Sequence, residues 1–344
     1  MLTPRQQLIL SAIIEDYVRM AEPIGSRALA KHEEIQYSPA TIRNEMADLE
    51  EMGYLTQPHA SAGRVPSQKG YRFYVDNLLR LGQMDRETGE FLKSVFTKRI
   101  DEVEQVAREV ANVLSMLTKQ TVIVLGPKTD TEKLRKIELI PLGGGRAIAI
   151  LVTNSGHVET VHVRFSSEME ADDVETLVRV LNDKVVGVPI SELRRTLYAE
   201  LAGELRRTVE RFEDAIAVLN EVCQVPEREE AVYIGGASNM LAQPEFHDVG
   251  KAQPILSLLE QNESISNWFP KAEDGIEVRI GAENAVVELK DCTVIATTYR
   301  LGGVPVGHIG VLGPTRMDYN RVMQILSFTS QALTDFLTRF ASSG

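Results

Sequence analysis

Signals for helix ends and a tight turn follow one another closely in the first 80 residues. Thr3-Pro4-Arg5-Gln6 has the composition of a capping box, with threonine as the cap and proline at the first helical position. The apolar spacing that follows predicts a first helix that ends near Met20. Ser26 is positioned to cap a short second helix that runs to Lys31. These signals predict a compact helical start to the chain.

A third helix and a hairpin follow in the same segment. Ser38 and Pro39 predict a helix start, and Gly53 predicts its end. The segment Tyr54–Gln57 reads as a short strand, the tip spans residues 60–63, and the chain returns through residues 64–66. Each helix alone is merely amphipathic, and a helical domain without a DNA partner would contain such helices. The ordered set, however, is typical of a winged helix-turn-helix.

The exposed side of the third helix carries side chains that can read bases. With Ile42 turned inward, Ala40, Thr41 and Asn44 lie on the opposite side and Arg43 flanks them. Asparagine can pair bidentately with adenine, and arginine can hold guanine or a phosphate. All four residues are in the N-terminal half, the part of a recognition helix that enters the major groove. We therefore predict that this helix, capped by Ser38, reads DNA.

Three further cationic residues are candidates for contacts with the minor groove or the phosphates of DNA. Arg64 adjoins the predicted wing, where a narrow minor groove would attract a guanidinium. Lys69 and Arg72 lie on the first turns of the next helix, which begins at Ser67, and helix N-termini favour phosphate. The predicted DNA-binding residues are thus Ser38, Ala40, Thr41, Arg43, Asn44, Arg64, Lys69 and Arg72.

The net charge of −12 argues at first sight against DNA binding, since phosphates repel an acidic protein. The charge is segregated, however. Residues 1–80 contain nine Lys/Arg and ten Asp/Glu, so they account for only −1 of the total. We expect weak binding to random DNA and dependence on specific contacts and dimerisation.

Several segments resemble the HrcA heat-inducible transcription repressor family over the whole chain. The matching segments are Pro23–Arg27, Ser38–Met46, Ser61–Ser67, Gly70–Arg72, Ile137–Leu142, Leu151–Gly156, Ile280–Asn284 and Gly313–Tyr319. The resemblance implies a homodimer that binds an inverted-repeat operator upstream of chaperone operons. It also implies control by the GroE chaperonin and a GAF-like domain interrupted by an inserted dimerisation domain.

With that resemblance, the element pattern predicts a multidomain α+β protein. Residues 1–80 form the winged-helix domain and 81–120 a connecting helix with a heptad-like seam, which is either a dimer or signalling helix or a helix lying on the adjacent sheet. Residues 121–165 and 273–344 form the GAF-like α/β sheet domain. The mainly helical inserted dimerisation domain spans 166–272.

Other functional classes find little support in the sequence. Cys223 and Cys292 are too few for a disulfide framework or a thiolate metal site, and no grouping of catalytic residues stands out. We therefore expect no enzyme activity, cofactor or metal, no membrane association, and a cytoplasmic location. Two alternatives stay open: a winged-helix regulator controlled by a small ligand in its GAF-like domain, and, more weakly, an enzyme with a DNA-binding appendage.

Overall fold

The computed structural model describes residues 2–59, 62–82, 84–96, 103–126, 133–154, 158–164, 171–189, 231–272, 274–301 and 303–343. None of the helices in these ranges is long and apolar enough to span a bilayer.

The winged helix-turn-helix forms as predicted. Its helices are α1 (Pro4–Met20), α2 (Ser26–Leu29), α3 (Pro39–Glu51) and α4 (Gln68–Phe73), and its wing strands are β1 (Leu55–Thr56) and β2 (Val65–Pro66). The α1 capping box is present, with the Thr3 side chain accepting from the Gln6 amide and the Gln6 side chain accepting from Thr3. Ser26 differs from expectation: Gly25 occupies the cap position and Ser26 is buried in the first turn of α2.

The connection to the next domain is two helices rather than one. Helices α5 (Arg86–Val95) and α6 (Val103–Thr118) replace the single predicted helix over 81–120. Phe96 ends α5 in the C-cap position. Ile100, an apolar residue at the heptad-like spacing of this segment, lies outside the described residues. Val110 and Leu114 of α6 are buried, and the helix packs against the sheet described next. The interpretation of α6 as a helix lying on the adjacent sheet is the one that this packing supports.

A five-stranded antiparallel sheet is the centre of the C-terminal part. Its strands are β3 (Thr121–Leu125), β7 (Val232–Gly235), β8 (Ile276–Ile280), β9 (Cys292–Leu301) and β10 (Val304–Pro314), in the order β7-β3-β10-β9-β8. Every residue of β3 is buried because both faces of the sheet are covered. Val122 and Val124 point into one core, and Ile123 and Leu125 point into the other. This is the GAF-like α/β domain.

Helices cover the two faces of this sheet. Helix α6 and the last helix, α10 (Tyr319–Ser343), pack on the first face, and their core is continuous with that of the winged helix. Helices α8 (Val249–Glu260) and α9 (Asn262–Trp268) cover the second face. The winged helix and the GAF-like domain therefore share one apolar cluster, in which Tyr71 of α4 packs against Tyr319 of α10.

A separate three-stranded antiparallel sheet precedes β7 in the chain. It consists of β4 (Leu134–Gly143), β5 (Arg146–Thr153) and β6 (Val158–Arg164), and helix α7 (Ala171–Val185) packs on it. The Asn182 side chain of α7 fastens the helix to β4, accepting from the Ile137 amide at 2.9 Å and donating to the Ile137 carbonyl at 2.8 Å.

The strand partners differ from the predicted division of the chain. Val232–Gly235, expected within the inserted domain at 166–272, is an edge strand of the GAF-like sheet and pairs with Thr121–Leu125. The strands within 134–164, expected in the GAF-like sheet, pair only with one another among the named strands. An apolar alternating run indicates a strand but does not indicate its partner, which here lies about a hundred residues away in the sequence.

Candidate DNA-binding site

Helix α3 presents an exposed polar face because its other face is anchored in the core. Ile42, Met46 and Leu49 are buried at helical spacing. The Ser38 hydroxyl accepts from the Thr41 amide at 3.2 Å and lies 2.9 Å from the Thr41 hydroxyl. The cap therefore fixes the start of the helix and occupies part of the hydrogen-bonding capacity of Thr41.

Ala40, Arg43 and Asn44 are exposed, and Thr41 is half-buried. Within the part of the chain that the structure describes, the side chains of Arg43 and Asn44 form no hydrogen bond or ion pair. Their donors and acceptors are thus available to a ligand. The predicted base-reading residues lie together on one surface of one helix.

Two carboxylates of α3 are paired with arginines of other elements. Arg5 of α1 donates to Glu45 at 3.0 Å and lies over the Tyr37 ring, 4.8 Å from its centroid. The Arg64 Nε donates to Glu50 at 2.7 Å. These pairs offset two negative charges of α3 and so reduce its repulsion of DNA phosphates. The pairing of Glu45 and Glu50 is not evident in the sequence, because their arginine partners come from other elements.

Arg64 has a structural task besides any contact with DNA. Its backbone forms an antiparallel bridge with Ile24, with N–O distances of 2.8 and 2.9 Å. A side chain on neighbouring Gly63 would overlap the Ile24 backbone, so glycine is required at this position. Arg64 thus holds the wing against α3, and the outer wing residues 60 and 61 lie outside the described residues.

Lys69 and Arg72, which were predicted to contact phosphate, each bind groups within the protein. The Lys69 ammonium donates to the Met52 carbonyl at 2.8 Å and lies 4.5 Å from the centroid of the Tyr54 ring. A cation in this place stabilises the C-terminal end of α3. Arg72 turns toward the GAF-like domain, where it donates to Glu283, to the Val278 carbonyl at 2.5 Å and to Asp76 at 3.1 Å.

The ion pair between Arg72 and Glu283 shifts both groups toward their charged forms. Burial raises the pKa of Glu283, but hydrogen bonds from Arg72 and the Ile280 amide outweigh it, so the pKa is lowered overall. The hydrogen bond with Glu283 raises the pKa of Arg72 further above its ordinary value. A guanidinium held in this way is charged but already paired.

Another buried carboxylate connects the helices of the winged-helix domain. Asp16 of α1 is buried and lies 2.8 Å from the His32 Nε2 and 2.5 Å from the Arg19 Nη2. His32 follows α2, so this contact ties the first helix to the turn that leads into α3. The described residues contain no cluster of three or more His, Cys, Asp or Glu that could hold a metal ion.

Comparison with known proteins agrees with this geometry. The profile of the winged helix-turn-helix transcription repressor, HrcA DNA-binding domain, matches residues 1–77, and that of the HrcA protein C-terminal domain matches residues 104–323. The chain belongs to the HrcA family. It is 46% identical to the heat-inducible transcription repressor HrcA of Brevibacillus brevis over 338 residues, which are 98% of each chain.

The overall fold also occurs in a solved structure. A crystal structure of a hypothetical protein aligns with a TM-score of 0.69 over 99% of this chain and 100% of its own, at 24% identity. A second structure, that of Pseudomonas aeruginosa HmgR, aligns with a TM-score of only 0.23 at 10% identity. The first of these structures shares its fold with this chain. The N-terminal part of this chain is the DNA-binding domain of the HrcA family.

Proposed function

We propose that this chain represses heat-shock (chaperone) operons by binding, as a homodimer, to an inverted-repeat operator, with its activity tuned by the GroE chaperonin. The observation that carries this proposal is the exposed face of α3, on which Arg43 and Asn44 are available next to the small residue Ala40. Two such helices, related by a two-fold axis, would enter successive half-sites of an inverted repeat. Occupancy of the operator would then exclude RNA polymerase.

The DNA contacts divide by role. Ala40, Thr41, Arg43 and Asn44 read base edges, while Ser38 sets the start of the helix. Arg64 supports the wing and approaches the DNA backbone from there. Lys69 stabilises the C-terminal end of α3. Arg72 is the member of the predicted set that we no longer assign to DNA, because Glu283 and the Val278 carbonyl hold its guanidinium.

We place the inserted dimerisation domain between Leu125 and Val232, because these residues flank adjacent strands of one sheet. Its three-stranded sheet supports a role in association. Three large apolar side chains of that sheet are exposed: Ile140, Leu142 and Val158. Contiguous patches of exposed apolar surface are typical of sites that bind another protein.

The decisive experiment is a fluorescence-anisotropy titration at fixed salt. An inverted-repeat element from a chaperone operon is compared with a scrambled duplex, each with and without the chaperonin. We expect strong preference for the repeat, increased by the chaperonin. Preference without a chaperonin effect would keep the repressor and favour control by a small ligand in the GAF-like domain. Lack of preference under either condition would refute DNA reading by this chain.

A further inference from the structure

Two segments of the C-terminal part, Ile280–Asn284 and Gly313–Tyr319, have no role in the function proposed so far. Both lie against the winged-helix domain in the structure. They contact it at separate places, the first at α4 and the second at the end of α1. Two separate contacts fix the direction of a domain, whereas a single contact would allow it to pivot.

The first contact is made by polar groups that leave little freedom. The Gln68 side chain donates to the Lys290 carbonyl at 3.0 Å and accepts from the Ala282 amide at 3.0 Å. Arg72, one turn later, is held by Glu283. Gly281 has a φ of +56° and approaches the Gln68 amide so closely that a side chain would overlap it. The turn at residues 281–283 therefore fits α4 closely.

The second contact is centred on Arg316. Its Nη1 donates to the Val18 carbonyl at 2.8 Å, in the last turn of α1, and its Nε donates to Glu245 at 2.5 Å. The arginine is thus a cation at the C-terminal end of α1, where the last carbonyls lack partners within the helix. Close by, the Tyr71 and Tyr319 rings pack with centroids 5.7 Å apart. A buried apolar contact and an oriented guanidinium reinforce each other here.

The face of α3 that carries Arg43 and Asn44 stays exposed while both contacts are made. The contacts therefore do not cover the DNA-reading surface. Instead they relate it rigidly to the rest of the protomer. In a dimer, such a relation would determine the distance and angle between the two recognition helices.

We propose that residues 281–283 and 316–319 form a positioning surface for the winged-helix domain, which sets the operator spacing that the dimer accepts. Arg72 is then a positioning residue that acts through Glu283. This inference rests on the proposed function. It distinguishes Arg72 from Arg43, although both are arginines of the same small domain.

The test uses Arg72→Gln, Glu283→Gln and the double variant in the full chain. Each is titrated against a half-site duplex and against inverted repeats whose spacer is lengthened or shortened. Arg86→Gln is the matched control, since Arg86 forms an exposed pair with Glu90 at 2.7 Å on α5. Exposed ion pairs of this kind contribute little to the stability of a protein.

Each single variant should bind the repeat of native spacing with an affinity lower by about fivefold or more. Fivefold is the lower end of typical coupling between sites. Each should tolerate altered spacers better than the wild type, and the double variant should match the singles because both remove one interaction. Half-site affinity and the salt dependence of binding should not change, and Arg86→Gln should behave as wild type.

The inference would be overturned if Arg72→Gln alone weakened half-site binding and reduced the salt dependence, because Arg72 would then contact phosphate. Tighter binding by Glu283→Gln, or no change in either variant, would overturn it as well. If the wild type itself did not prefer the repeat to a scrambled duplex, the proposed function and this inference would both fail. The first set of results and the last are distinguishable because only the last concerns the wild-type chain.

Discussion

Two tyrosines that pack against each other, Tyr71 and Tyr319, differ in what their hydroxyl groups contribute to stability. The Tyr71 side chain is buried, and its hydroxyl has no hydrogen-bond partner among the described residues. The Tyr319 hydroxyl donates to the Thr315 carbonyl at 2.7 Å and lies 3.1 Å from the Thr293 hydroxyl. Burial raises the pKa of both phenols, so both stay neutral at ordinary pH.

The two tyrosines should therefore respond in opposite ways to loss of the hydroxyl. Tyr71→Phe should leave the free energy of unfolding unchanged or increase it, since an unpartnered buried hydroxyl is unfavourable. Tyr319→Phe should lower it by about 1 kcal/mol, the usual net worth of a hydrogen bond. Urea unfolding of each variant measures the difference. A larger loss for Tyr71→Phe than for Tyr319→Phe would contradict this account.

At the scale of elements, the turn between β8 and β9 tests whether docking of α4 adds to stability. Gly281 and Gly275 both have positive φ, +56° and +73°. A side chain at Gly281 would meet Gln68, whereas one at Gly275 would meet no atom within 4 Å among those described. The two positions thus share a backbone strain and differ in the interdomain contact.

Alanine at either glycine should cost about 1 kcal/mol for the left-handed backbone. Gly281→Ala should cost more than Gly275→Ala, because it also displaces the Gln68 amide from its two partners. In a Gln68→Ala background the extra cost should disappear. Thermal or urea unfolding checks all of these variants. Equal losses at the two glycines in the wild-type background would mean that the turn does not support docking.

The positions of helices and strands can be predicted from local sequence, whereas the pairing of distant strands cannot. Ser38 caps α3 through the amide of Thr41, three residues along, so the residues that define this start are adjacent in the sequence. The wing strands Leu55–Thr56 and Val65–Pro66 likewise form within the segments 54–57 and 64–66 that the sequence indicates. By contrast, the pairing of Val232–Gly235 with β3 depends on a contact between distant segments, which a pattern within one segment does not contain.

At the scale of the whole molecule, the sequence does not indicate which partner each arginine binds, because the partners are distant in the sequence. Arg72 and Glu283 are 211 positions apart, and Arg316 and Val18 are 298 apart. A helix N-terminus with Lys69 and Arg72 favoured a phosphate contact by composition alone. The fold assigns these cations to a helix end and to an interdomain surface, and it leaves Arg43 exposed on α3.

The operator affinities of Asn44→Ala and Arg43→Ala test most directly whether the exposed face of α3 reads DNA. Arg86→Ala is the matched control, since Arg86 is exposed on α5, outside both the DNA-reading face and the proposed dimerisation domain. Each α3 variant should lose about 1–3 kcal/mol of operator binding, the worth of a good base contact. Binding to random duplex should change far less, and the control should bind as wild type. Unchanged operator affinity for Asn44→Ala would show that this face does not read DNA.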